Sequence, residues 1–279
     1  MSNLVSVAEL NDLLTEGAPV RVIDVRWRLD RPEAGHDDYL TGHIPGAVFA
    51  ALDTELATHG EPSEGRHPLP STETLQAAAR RWAVSAGDIV VAYDDAKSTA
   101  AARAWWLLRQ AGVDVRVLDG GLRAWKAAGL DIATDDVTPA PGDVVLAEIG
   151  GDALSIDEAA AFPASGILLD VRAPERYRGE TEPLDPVAGH IPGARNLPTM
   201  LHLDEEGRIL DAETVRANFA RVGATPGTPV AAYCGSGVTA AHTALILSEV
   251  GIEAKVFPGS WSQWSNTPGR PVATGDQPG

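Results

Sequence analysis

The chain has 279 residues, 44% of them hydrophobic and 22% charged, and a globular chain of this size buries roughly 70 to 75% of its unfolded surface, enough for a core without covalent staples. With 22 Lys+Arg against 39 Asp+Glu, the net charge of -17 offers no long-range attraction to nucleic acid or an anionic membrane and excludes those partners. The single cysteine can form neither an intrachain disulfide nor a multi-cysteine metal site, and the chain has no secretory n-region and no apolar run of about 18 residues, so it reads as a cytoplasmic protein.

In chain order, the apolar spacing predicts a helix over 6–14, a β-branched strand over 20–25 and the turn Gly42-His43-Ile44-Pro45-Gly46-Ala47. A helix over 71–84, a strand over 88–93, the loop Asp94–Thr99, a helix over 99–112 and a strand over 115–118 follow, with Gly112 at a helix C-terminal cap and Trp105 and Trp106 as core. After a Pro-, Gly- and Asp-rich stretch at 134–152, the series begins again. Helices over 155–162, 211–223 and 238–251 alternate with strands over 166–171, 228–233 and 254–257, and Gly251 takes the place of Gly112.

Four blocks recur in the same order: VIDVR (22–26) as LLDVR (168–172), GHIPGA (42–47) as GHIPGA (189–194), VVAYDDAKSTAA (90–101) as VAAYCGSGVTAA (230–241), and VLDGGLRAW (117–125) as VFPGSWSQW (256–264). The offset drifts from 146 at Asp24/Asp170 and 147 at His43/His190 to 140 at Tyr93/Tyr233 and 139 at Trp125/Trp264. Such small drifts are loop insertions between two copies of one domain of about 130 residues. The expected organisation is an N-terminal domain over 1–134, a linker over 135–152 and a C-terminal domain over 153–279. Each is α/β, a mostly parallel sheet flanked by helices.

Duplication supplies an internal control, because features in both halves serve the fold and features in one half are candidates for chemistry. Asp24 with Arg26, Asp170 with Arg172, and the histidines of the GHIPGA turns fall in the first class. The sharp asymmetry follows the AY strand, where Asp94-Asp95-Ala96-Lys97-Ser98-Thr99 stands in the first copy and Cys234-Gly235-Ser236-Gly237-Val238-Thr239 in the second. Ligands bind at the carboxyl ends of parallel strands, and a glycine-rich loop before a helix turns successive N–H groups into one concavity. A thiol there is favoured as the nucleophilic thiolate, so Cys234 is the candidate catalytic residue. A second asymmetry places Arg176 opposite Asp30, where its charge suits an anionic substrate, with Arg178 a weaker candidate.

These blocks, with the Cys-Gly-Ser-Gly-Val-Thr loop in the second copy only, resemble the two-domain rhodanese family of thiosulfate and 3-mercaptopyruvate sulfurtransferases over nearly the entire chain. The resemblance implies two rhodanese-type domains, the N-terminal one inactive with Asp94 at the cysteine position. It implies that Cys234 takes a sulfane sulfur from a small anionic donor as a persulfide and passes it to a thiol or cyanide, with no metal or organic cofactor. Donor contacts then fall to Arg176 and to Gly235, Ser236, Gly237, Val238 and Thr239. In the mercaptopyruvate branch the resemblance also implies a proton relay, for which Ser236 and His43 are the candidates.

Gly235 and Ser236 replace the basic loop of thiosulfate-preferring members, which favours mercaptopyruvate. Asp185 stands where that branch carries a second arginine and is expected to repel the donor carboxylate. A Cys-dependent phosphatase is excluded, because no Arg or Lys lies between Cys234 and Leu247 to clamp an oxyanion. The alternatives are a thiosulfate-preferring enzyme and a persulfide carrier without turnover of its own.

Overall fold

The computed structural model describes residues 2–31 and 33–279. The chain forms two compact units, one of Met1–Thr58, Leu69–Gly151 and Asp204–Ile209, the other of His59–Pro68, Asp152–Leu203 and Leu210–Gly279. Each unit thus includes a short segment from the opposite half of the chain.

The first unit runs β1 (Leu4–Val5), α1 (Val7–Thr15), β2 (Val20–Asp24), α2 (Ala34–Thr41), β3 (Val48–Phe49), α3 (Thr72–Arg81), β4 (Ile89–Tyr93), α4 (Thr99–Gln110), β5 (Asp114–Leu118) and α5 (Gly121–Ala127). Its five strands pair in the order β1-β5-β4-β2-β3, every pairing parallel. The second unit runs α6 (Ile156–Ala161), β6 (Ile167–Asp170), α7 (Pro174–Tyr177), β7 (Arg195–Asn196), α8 (Ala212–Ala220), β8 (Val230–Tyr233), α9 (Val238–Glu249), β9 (Ala254–Val256) and α10 (Ser260–Ser265). Its order β7-β6-β8-β9 is again all parallel. It is the first sheet without β1, whose place beside the last strand is held by a single bridge from Ala153 to Val256.

Local chemistry explains the boundaries. Ser6 with Glu9 and Ser155 with Glu158 form reciprocal capping boxes that start the first helix of each unit. Gly112 (φ 84°) and Gly251 (φ 80°) end α4 and α9 in the left-handed conformation. α9 is buried from Val238 almost to its end, which its apolar composition on all sides requires. The predicted helix over 71–84 stops at Arg81, since Ala83 turns to φ 63°. The stretch 134–152 is without helix or strand but buries Val144 and Leu146 and bonds to the first unit from Val144 N–H to Val84 O at 3.2 Å and from Ala147 N–H to Ala111 O at 3.0 Å. Among the described residues no helix is long and apolar enough to cross a membrane.

The features shared by both copies are structural ones. Asp24 and Asp170 end β2 and β6, accept the N–H of Arg26 and Arg172 at 3.0 Å, and pair with the same guanidiniums. Those guanidiniums also donate to the carbonyls of Gly42 and Gly189, which opens each GHIPGA turn. The Tyr93 and Tyr233 hydroxyls accept the N–H of Ile44 and Ile191 at 3.1 and 3.0 Å. Each β2-type strand end is thereby tied to its turn and to the central strand that carries the loop.

Candidate active site

Cys234 follows β8, an inner strand of the second sheet, and is buried with a free thiol. The loop after it is held by backbone close to backbone. Trp261 and Ser262 N–H donate to the carbonyls of Cys234 and Gly235 at 3.0 and 2.9 Å. Gly237 takes φ 82°, where a Cβ would meet Pro258 O at 2.3 Å, so only glycine fits. That conformation turns the Gly237 N–H onto Cys234 Sγ at 3.1 Å, at the start of α9. A sulfur anion therefore faces an oriented donor and the positive end of a 12-residue helix.

The equivalent loop of the first unit is filled by its own side chain. Asp94 Oδ1 accepts the N–H of Ala96 and Ser98, both at 2.8 Å, and Oδ2 those of Ala100 and Ala101 at 2.9 and 3.0 Å. Burial pushes its carboxyl above the ordinary range, and the amides of Ala101, Ala96 and Ser98 pull it back. The first copy thus holds a carboxylate where the second holds a thiol.

Arg176 sits on α7, one-fifth exposed, with Nε and Nη2 on the two oxygens of Glu182 at 3.1 and 2.6 Å. A Cβ built on Gly235 would lie 3.5 and 3.6 Å from its two terminal nitrogens, so the guanidinium faces the loop. A second guanidinium faces the same glycine, that of Arg66, with Nη1 3.9 Å from the built Cβ. Arg66 belongs to the 59–68 segment of this unit, and its Nη2 donates to Asp185 Oδ1 at 2.6 Å. Asp185 Oδ2 lies 3.6 Å from Arg176 Nη2, and Glu182 also accepts from Arg172 Nη1 at 3.2 Å. Three arginines and three carboxylates alternate from Arg66 through Asp185, Arg176, Glu182 and Arg172 to Asp170. Burial opposes the Arg172 charge, but Asp170, Tyr233 and Glu182 outweigh it and hold its pKa above the ordinary value. Asp185 thus lies between two arginines and holds the second of them, Arg66, at the loop.

Ser236 is buried, and its Oγ is 2.8 Å from Nδ1 of His67. The imidazole that meets Ser236 is that of His67 and not that of the relay candidate His43. His43 is fully buried in the first unit, stacked on Tyr39 at 3.9 Å with Nδ1 on the Tyr39 carbonyl at 3.0 Å. His190 does the same with Tyr177, at 3.7 and 2.8 Å, which makes both histidines turn residues. Of the remaining candidates, Val238 and Thr239 open α9. Arg178 pairs with Glu180 and Asp276 at the surface.

Sequence reasoning missed Arg66 and His67, and the signal was in the repeat. Glu64-Gly65-Arg66 recurs as Glu206-Gly207-Arg208 at an offset of 142, between the neighbouring offsets, with Ile209 opposite His67. These are the two segments that cross between units, so His67 is another feature present in one copy only.

The rhodanese-like domain family matches residues 6–128 and again residues 155–267. The chain belongs to the rhodanese-like family. A Mycobacterium tuberculosis relative named "Putative thiosulfate sulfurtransferase SseB" is 46% identical over 98% of this chain and 97% of its own length. A Pseudomonas aeruginosa relative named "Probable 3-mercaptopyruvate sulfurtransferase" is 43% identical over 91% of this chain and 92% of its own. The crystal structure of SseA from Escherichia coli, described as a 3-mercaptopyruvate sulfotransferase, superposes on this rhodanese with a TM-score of 0.80 at 32% identity, covering 94% of this chain and 99% of that one. With relatives so named along its full length, this rhodanese is a sulfurtransferase, and their names divide over the donor.

Proposed function

We propose that this rhodanese moves a sulfane sulfur from 3-mercaptopyruvate to a thiol or cyanide through a persulfide on Cys234. In the first half-reaction the Cys234 thiolate attacks the donor sulfur. The S–S bond forms, the C–S bond breaks, and its electron pair leaves on carbon as pyruvate enolate, which takes up one proton. In the second, the acceptor attacks the outer sulfur, and the S–S electron pair returns to Cys234 as thiolate. The Gly237 N–H on Sγ faces the charge that is consumed in one step and regenerated in the other.

The observation that carries the choice of donor is the Ser236–His67 contact of 2.8 Å beside the nucleophile loop. A departing enolate needs a proton, and the Ser236 hydroxyl backed by an imidazole can supply one; sulfite, which departs from thiosulfate, needs none. Arg176 and Arg66 clamp the donor carboxylate over Gly235, Ser236 and Gly237, while Val238 and Thr239 fix the helix end beneath. The N-terminal domain, over residues 1–134, transfers no sulfur, because the Asp94 carboxylate cannot carry one. The net charge of -17 keeps nucleic acid from being a partner, and a single cysteine that must stay reduced suits the cytoplasm.

The test is the ratio of kcat/KM for the two donors at fixed pH and salt, with cyanide as acceptor. A ratio favouring mercaptopyruvate supports this reading, and one favouring thiosulfate moves the assignment to a thiosulfate sulfurtransferase with the same nucleophile. One transfer per cysteine with either donor would make the chain a carrier.

A further inference from the structure

The internal control singles out a second position behind the nucleophile. In the first unit the loop residue Asp94 accepts the Leu122 N–H through its carbonyl at 2.9 Å, and the residue before Leu122 is Gly121 at φ 56°. In the second unit the same contact runs from Trp261 N–H to Cys234 O at 3.0 Å, but the residue before Trp261 is Ser260, at φ 53°. Left-handed backbone suits glycine, and a residue with a Cβ held there costs free energy that surrounding structure must offset. A Cβ at Gly121 would meet Asp94 O at 2.2 Å. The copy with the cysteine therefore keeps a side chain at a place where the other copy keeps none.

That side chain is used. Ser260 is fully buried, its Oγ accepts the N–H of Cys234 at 3.1 Å and donates to Phe257 O at 2.9 Å, and it lies 4.0 Å from Sγ. The geometry points to Ser260 as a positioning residue for the sulfur-transfer reaction, one that locks the backbone of Cys234 from behind so that Sγ stays on the Gly237 N–H. Residues 260 and 261 then grip the cysteine by both its N–H and its carbonyl, and the direction of its Cα–Cβ bond is set. The inference rests on Cys234 as the nucleophile. Because Ser260 touches neither donor nor acceptor, its effect falls on the sulfur in both roles, as attacking atom and as leaving atom.

Ser260→Gly tests this, since it installs the residue of the first copy, relieves the left-handed strain and removes only the hydroxymethyl group; Ser260→Ala removes the hydroxyl and keeps the Cβ. With native circular dichroism, both are expected to lose about tenfold in kcat with KM for the donor unchanged, as loss of alignment without loss of binding predicts. Rapid-mixing measurements are expected to show the same loss in persulfide formation and in transfer from preformed persulfide to cyanide. Full activity in Ser260→Gly overturns the assignment, as does a loss confined to one half-reaction or expressed in KM. Failure of both variants to fold makes Ser260 a folding residue and overturns it as well. Cys234→Ser measured alongside separates this outcome from failure of the functional reading, which appears only as activity retained without the thiol.

Discussion

Replacing Asp185 by Asn isolates one charge in the cluster over the nucleophile loop and leaves shape nearly unchanged. Asp185 is buried, takes a 2.6 Å bond from Arg66 and lies 3.6 Å from Arg176, and Arg176 in turn lies 3.5 Å from the place a Cβ on Gly235 would occupy. An anion seated at Gly235 is then about 7 Å from the carboxylate, and at an effective dielectric constant of about 20 to 40 its repulsion is about 1 to 2 kcal/mol per unit of donor charge. Removing the charge favours a monoanion such as mercaptopyruvate by that amount and a dianion such as thiosulfate by about twice as much. The asparagine carbonyl still accepts from Arg66, so the guanidinium remains in place. The ratio of kcat/KM for thiosulfate over mercaptopyruvate should therefore rise about tenfold in Asp185→Asn, measured with cyanide at one pH and low salt, and the gain should shrink as salt is added. A ratio unchanged or moved toward mercaptopyruvate would refute the view that Asp185 tunes the loop for a single negative charge. Arginine at this position, which the sequence alone recommends for mercaptopyruvate, would instead be set against Arg66 and Arg176.

Arg176→Ala should lose one to two decades in the specificity constant for the donor, about 1.5 to 3 kcal/mol, with transfer from preformed persulfide to cyanide nearly unchanged; equal losses in both half-reactions would make Arg176 an organiser of the loop. Asp94→Ala leaves four amides of the first loop without their acceptor and should destabilise the N-terminal domain by about 3 to 5 kcal/mol, read by denaturant unfolding; a smaller change than about 1 kcal/mol would contradict the role given to that carboxylate. His202 and His242 are fully buried, and among the described residues neither ring nitrogen of His202 nor Nε2 of His242 has a hydrogen-bond partner. Burial lowers His202 to about 4, and burial with the neighbouring His202 lowers His242 to about 3. Both stay neutral in the fold while the unfolded chain takes up protons near pH 6.5, so stability is full above that pH and falls as pH drops toward 4, by about 2 kcal/mol per histidine at pH 5. His242→Gln should flatten that slope, and an identical slope in the variant would remove the histidines as its cause.

Much of the fold was legible because the duplication writes it twice. The β-branched runs at 20–25 and 166–171 and the left-handed caps Gly112 and Gly251 follow from local chemistry, and both copies agree on them. The two-residue strands β1, β3 and β7 carry too few residues for an alternation to show, and only parallel pairing to a neighbour creates them. At the candidate site, Cys234 and Arg176 stand out as asymmetries between the copies, and the structure places both at the loop after β8. The imidazole beside Ser236 does not stand out in this way: His43 lies in a motif that stacks on a tyrosine, whereas His67 reaches Ser236 because residues 59–68 cross to the other unit. That crossing is a tertiary event, and its trace in the sequence is a three-residue repeat, Glu-Gly-Arg, too short to stand out from chance. The partner of Asp185 was hidden for the same reason, since Arg66 is 119 residues away.

The central claim is that sulfur travels on Cys234, and intact-mass spectrometry of the full chain after brief exposure to 3-mercaptopyruvate or thiosulfate tests it most directly. The native protein should gain the mass of one sulfur atom per chain, lose it on addition of cyanide with release of thiocyanate, and gain nothing when Cys234→Ser replaces it. A sulfur gained by Cys234→Ser, or turnover in that variant above a few per cent of native, would contradict the account.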